Sequence, residues 1–342
     1  MQLFPSLPET GTTFLAGAAW FLISSILTTH STTSFLKYRP TTKLPPPVNK
    51  QHNRQLFSLP HLLTLYRFGG SFFLSILSPS ILSILSKLPS TIPSFLLPAL
   101  FMTLANLGNV VALDRIGISL TYTTKCAIPI MTILLQVCLK GNSRLPPTKS
   151  LIAVLPIALG IGMASWNSPR FEKVGFGCAL GSAAAQSGLN VYCKKAIETT
   201  SVKGFDVQRN LVVCAFAFLT LKQAVLDRIT NFIFKNVDDR KGISLEYFLR
   251  VLFNCRTPSN RHPHPPGWLS VYTVCSYHLE YSLSFIFLSR IDSVSFSVCD
   301  AIRRLAIIIV GRKLFGGAEL TVLNKVGIAS TISGAVLYAF VS

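Results

Sequence analysis

Ten apolar runs follow one another along this chain, each near the roughly 20 residues a helix needs to cross about 30 Å of hydrocarbon. They lie at 14–36, 59–78, 93–113, 116–139, 149–166, 174–193, 208–227, 268–288, 293–314 and 321–341. A backbone in lipid must satisfy its own hydrogen bonds, so runs of this length fold as spanning helices. The expected fold is an all-α membrane protein of ten transmembrane helices. Half of the 342 residues are hydrophobic and 13% are charged, with a mean hydropathy of +0.49, too little charge to cover a soluble surface of this size. Small residues inside the runs, such as Ala158, Gly160 and Gly162 or the stretch 177–185, allow close helix packing.

The chain also repeats itself. Leu113-Asp-Arg115-Ile116, opening the fourth run, recurs as Leu288-Ser-Arg290-Ile291 opening the ninth, and Gly160 faces Gly334 at nearly the same offset. Five spans separate the copies, and an odd number inverts the second relative to the membrane. Two inverted five-helix repeats are a transporter architecture with a site near the midplane where the halves meet. Residues 1–200 then hold the N-terminal repeat and the sixth helix. Residues 201–342 hold the rest of the second repeat and a loop insertion at 226–267, the whole forming one integral domain.

Charges inside the runs are few and costly. A charged side chain at the centre of a spanning helix costs roughly 2.5–3.5 kcal/mol on insertion scales, so it usually faces a bundle interior, an ion partner or a polar substrate. Away from the span ends stand Arg67, Lys125, Glu280, Asp300, Arg303 and Arg304. Their sum is +2, which suits a doubly charged phosphate. The repeat places the fourth helix opposite the ninth, so Lys125 and the Arg303-Arg304 pair are expected to converge on one cavity. Arginine grips phosphate oxygens with a planar fork, and lysine supplies a compact charge. Adjacent helical residues point about 100° apart, so one arginine is expected to meet the substrate while the other braces it or pairs with Asp300 at i, i+4. The structural alternative is that Asp300 and Glu280 neutralise two cations and the cluster only ties helices together. Asn106, Asn109, Tyr122 and Thr121, and Gln186, Asn190 and Lys194 at helical spacing, are candidates to line the same path.

Other functions find little support. The net charge of +19 resides in Lys and Arg clusters between runs, such as Lys37 to Arg54, a pattern of contact with anionic lipid rather than of nucleic-acid binding. No C-x-x-C pair occurs, most cysteines lie in apolar segments, and His262-x-His264 has only Cys255 near it, so neither a metal nor another cofactor is expected. No nucleophile-base set suggests an enzyme. No Lys or Arg precedes Lys37, so the first run is expected to be a retained span rather than a cleaved leader. Segment 79–93 reads as a short interfacial helix, the link 37–58 as Pro-rich and extended, and 245–253 as an amphipathic helix.

The run Ile118-Ser-Leu-Thr-Tyr-Thr-Thr-Lys125-Cys-Ala-Ile-Pro129 resembles the fourth-helix motif of the triose-phosphate/sugar-phosphate translocators, members of the drug/metabolite transporter superfamily close to the nucleotide-sugar transporters. Leu155 to Gly160, Phe171 to Phe176, Asn190 to Lys195 and Val294 to Arg304 continue the likeness. The resemblance implies that Lys125, Arg303 and Arg304 bind the substrate phosphate. It also implies that Asn106 and Glu280, beside Tyr281, stand where the family reads the triose, and that Asp300 replaces a neutral polar residue and modulates the site's charge. A carboxylate at Glu280 would repel a second anionic group, which points away from classical triose-phosphate specificity.

The expected function is antiport of a phosphorylated sugar or related organic phosphate against phosphate across an intracellular membrane, the plastid envelope or the Golgi or endoplasmic reticulum. The alternatives are a nucleotide-sugar/nucleotide-monophosphate antiporter and a non-transporting membrane scaffold. The partners are a small anionic phosphorylated substrate and membrane lipid, with a second copy of the chain as the one protein partner left open.

Overall fold

A computed structural model of the chain describes residues 9–38, 58–77, 81–140, 152, 155–157, 159, 160, 163, 171–200, 202, 204–221, 265–315 and 321–341. Regular structure among the described residues is helical throughout. The first span is α1 (Glu9–Leu22), a π-helical segment (Ile23–Thr28) and α2 (Thr29–Lys37) in one line. There follow α3 (Ser58–Ile76), α4 (Ile81–Lys125), α5 (Ile128–Lys140), α6 (Lys173–Thr200), α7 (Gly204–Leu221), α8 (Gly267–Arg290), α9 (Ser293–Phe315) and α10 (Val322–Val341). The expected fifth run, 149–166, is described at seven residues, all helical. The Pro-rich link beyond residue 38 and the stretch 245–253, with its neighbouring histidines, lie outside the described residues.

Among the described residues, three helices are long and apolar enough to cross a membrane by themselves, Gly11–Lys37, Thr91–Lys125 and Gly204–Leu221. Their outward faces are greasy: Phe14 is 74% exposed, and Leu22, Leu97, Leu100, Phe205 and Leu221 are exposed as well. Side chains of this kind over so much of the surface belong against lipid. The protein is an integral membrane protein. Helices α8 and α9 carry the polar and charged residues and turn them inward: Thr273, Ser276, Glu280, Ser297, Asp300, Arg303 and Arg304 are all buried.

Two departures from the expected spans shape the interior. The segment read as a separate interfacial helix is the start of α4, which continues from Ile81 through the third span without a stop. The helix is interrupted at Gly117, whose φ of 75° and ψ of 177° fall in a region open essentially to glycine alone. The fourth span, read as one run over 116–139, is broken at Cys126 and Ala127. Pro129 has no N–H to return to the Lys125 carbonyl. The chain closes the turn instead with Cys126 N–H to Thr123 O (3.0 Å) and Ala127 N–H to Thr124 O (3.2 Å) before α5 starts. Lys125 therefore ends a helix rather than sitting in the middle of one.

Close packing fixes these pieces. A Cβ on Gly108 of α4 would meet the Cys178 carbonyl of α6 at 2.9 Å, and Ser182 Oγ bonds the Ala105 carbonyl across the same crossing at 2.5 Å. A cluster including Phe68, Phe95, Met102, Leu211, Tyr277 and Phe285 fills the space among α3, α4, α7 and α8.

Candidate functional site

A cavity of about 50 Å³ lies between the first span, α3, α4, α6, α8 and α9. At about 10–15 Å³ per water-sized group, it has room for about four such groups, the size of one tetrahedral oxyanion. Arg67, Lys125, Glu280, Asp300, Arg303 and Arg304 all line it. Four cations against two carboxylates leave +2.

Each charged residue reaches the cavity for a local reason. Asp300, Arg303 and Arg304 share the inner side of α9 at i, i+3 and i+4, and the Asp300 carboxylate takes both arginines. Its Oδ1 accepts from Arg303 Nε at 2.9 Å and Nη2 at 2.5 Å, and its Oδ2 from Arg304 Nε at 3.0 Å and Nη2 at 2.5 Å. Each arginine thus gives two charge-assisted bonds to a single carboxylate oxygen. Glu280 of α8 accepts from Arg303 Nη1 at 2.7 Å and from Ser24 Oγ at 3.0 Å, and Arg303 Nη1 also donates to Ser24 Oγ. Arg303 lies 4.8 Å over the Trp20 ring and Arg304 5.8 Å over Tyr122, each adding a cation–π contact. Both arginines are thus held by carboxylates, where helical spacing left one for the substrate and the other to brace it or pair with Asp300. The Glu280 carboxylate does not stand free to repel cargo.

Lys125 differs. Its side chain is buried, at 3% residue exposure, and makes no hydrogen bond or ion pair among the described residues. The helix break puts it at the cavity wall with its charge open.

The polar lining follows. Asn106 Nδ2 donates to Tyr281 Oη at 3.2 Å and to the Met102 carbonyl at 2.9 Å. Tyr281 packs on Tyr277 with ring centroids 4.5 Å apart. Asn109, Tyr122 and Gln186 also face the cavity. Asn190 and Lys194, set on the same path by spacing, are not among the residues lining it. Asn190 donates to Ser297 Oγ at 3.1 Å and accepts from Gln186. Lys194 Nζ reaches the carbonyls of Leu288 and Ser289 at 3.3 and 3.1 Å, where the end of α8 leaves acceptors unsatisfied.

The sequence reading gave no site role to the first span or to Arg67. Ser24, Thr28, Thr29 and Thr32 line the cavity from the π-helical segment and the turn after it, where Thr29 Oγ1 bonds back to the Ser24 carbonyl at 3.0 Å. Their signal was the hydroxyl-rich stretch 24–34 inside an otherwise apolar run. Among the described residues no group of three His, Cys, Asp or Glu could hold a metal ion.

The family model for the Triose-phosphate Transporter family matches residues 48–339. The chain belongs to the Triose-phosphate Transporter family. Similar relatives include phosphoenolpyruvate/phosphate translocators 2 and 1, both chloroplastic and from Arabidopsis thaliana. They are 25% identical over 69% of this chain and 57% of that one, and 26% identical over 85% and 66%. The triose phosphate/phosphate translocator of non-green plastids from Brassica oleracea var. botrytis is 25% identical over 85% of this chain and 67% of that one. The chain thus spans between 57% and 67% of the length of these family members. A protein crystal structure with 15% identity matches at a TM-score of 0.50, covering 96% of this chain and 97% of that one, a likeness of fold.

Proposed function

We propose that this protein is a secondary carrier that exchanges an organic phosphate for inorganic phosphate by alternating access, in the plastid envelope. The observation that carries the reading is Lys125, a buried ammonium with no partner among the described residues, in a cavity of net +2 sized for one oxyanion. A scaffold has no use for such a charge, since an uncompensated cation in the membrane interior is expensive. The relatives' names pair an organic phosphate with phosphate and carry the word chloroplastic.

We further propose that the chain is one integral domain of ten spans in two inverted repeats offset by about 175 residues. Residues that touch their own repeat mates lie on the axis relating the halves. Asn106 with Tyr281 and Cys126 Sγ with the Ala301 carbonyl are such contacts, each 175 apart. Gly160 against Thr331 and Gly334 against Ile157 form a reciprocal pair, as a two-fold interface requires. Lys125 and Asp300 are mates at the same offset, and both line the cavity. That supports a site astride the axis.

The carrier is expected to take up labelled phosphate into proteoliposomes preloaded with phosphate, and far less into empty ones. Lys125→Gln removes a charge-assisted contact of about 1.5–3 kcal/mol and should lower exchange about tenfold or more. Equal uptake into loaded and empty vesicles, or full exchange by the variant, would overturn the reading.

A further inference from the structure

Of the four cations in the cavity, the two on α9 are held by Asp300 and Glu280. The charges left open are Lys125 and Arg67. Arg67 comes from α3, at 3% exposure, and its guanidinium is fixed without being neutralised. Nη2 donates to Thr32 Oγ1, the plane lies 5.1 Å over the Tyr277 ring, and Nε is buried with no hydrogen-bond partner. No ion pair reaches it among the described residues, and of five N–H donors only one is used. A hydroxyl and an aromatic face set its orientation and leave its charge unmatched. The +2 of the site is therefore carried by this residue and Lys125, on walls built from α3 and the end of α4.

We infer that Arg67 is a further cargo-binding residue which, with Lys125, compensates the two charges of a phosphate dianion and so selects the doubly charged form. The inference deepens the phosphate-exchange reading and rests on it. The α9 arginines line the same cavity with their charge shared by Asp300 and Glu280, and the two open cations supply the unmatched charge. Losing Arg67 lowers the site to +1, which suits the singly charged anion. Losing Glu280 as well returns it to +2.

Phosphate/phosphate exchange in proteoliposomes, followed from pH 5.5 to 8 on the full chain, tests this. Wild type is expected to follow the phosphate dianion, its uptake rising with pH. Arg67→Gln should raise KM for phosphate about tenfold or more, the loss of one charge-assisted contact, and shift uptake toward the acidic end where phosphate is singly charged. Arg67→Gln/Glu280→Gln should regain the dianion profile, a recovery that a merely structural arginine would not give. An unchanged KM and pH profile in Arg67→Gln, or a fall in maximal rate alone, overturns the inference while leaving the exchange reading intact. Wild-type vesicles that exchange no phosphate overturn both. Should Arg67→Gln not fold, Arg67→Lys decides: a dianion profile with KM raised severalfold supports direct contact, and a wild-type KM removes it.

Discussion

At the scale of single residues, Asp300 is the centre of the site. Its carboxylate, 2% exposed, is shared by two arginines through four hydrogen bonds. Removing one member of a buried ion network leaves charge uncompensated, at a cost of about 3–5 kcal/mol. Asp300→Asn is therefore expected to lower the melting temperature in detergent, and added phosphate should restore part of it by binding the freed arginines. A melting temperature that neither falls nor responds to phosphate would contradict the network. The six charges were legible in the sequence because each is expensive inside an apolar run. Their pairing was only half legible. The i, i+4 contact of Asp300 with Arg304 follows from helical spacing, whereas the reach of Glu280 from α8 to Arg303 is tertiary. Arg67 was visible as a charge, yet nothing in its own helix says which wall it faces. For Lys194, likewise, spacing gives a face but not the carbonyls of α8 that meet it.

At the scale of elements, the break before Pro129 converts a long apolar run into two helices and leaves Lys125 at the end of the first, on the cavity wall. Hydropathy does not reveal this, because the run over 116–139 is apolar enough overall to read as one span and Pro129 is the one local mark of the break. Length placed the helices Ser58–Ile76, Gly267–Arg290, Ser293–Phe315 and Val322–Val341 to within about two residues. It failed where the chain continues as helix through Pro89 and Pro93 into the third span. Pro129→Ala restores an N–H that can bond the Lys125 carbonyl and lets the end of α4 wind on into α5. The side chain of Lys125 would then rotate off the cavity. Exchange is expected to fall about tenfold or more, since small misplacements of a binding group carry penalties of that order, while thermal stability holds or rises with the better helix former. Wild-type exchange with Pro129→Ala would mean that the break does not position Lys125.

At the scale of the whole molecule, the helical stretch around Gly160 meets α10 where small residues allow backbones to touch. A Cβ on Gly160 would lie 2.3 Å from Thr331 Oγ1 and 2.4 Å from the Gly327 carbonyl, and one on Gly334 would lie 2.8 Å from the Ile157 backbone nitrogen. The match of Gly160 with Gly334 was readable from the repeat, but the contact was not, because self-similarity gives equivalence and not distance. If a two-fold axis relates the halves, these glycines guard the same crossing from opposite sides. Gly160→Leu and Gly334→Leu should then each cost about 1–3 kcal/mol by overpacking, and by similar amounts. Once one substitution has pried the crossing apart, the second meets less resistance, so the double variant should cost less than the sum by about 0.5 kcal/mol or more. Chemical or thermal denaturation of the four proteins in one detergent measures this cycle. Strictly additive effects, or a large loss at one glycine with none at the other, would separate the two positions and remove the shared axis on which Lys125 and Asp300 are placed as mates.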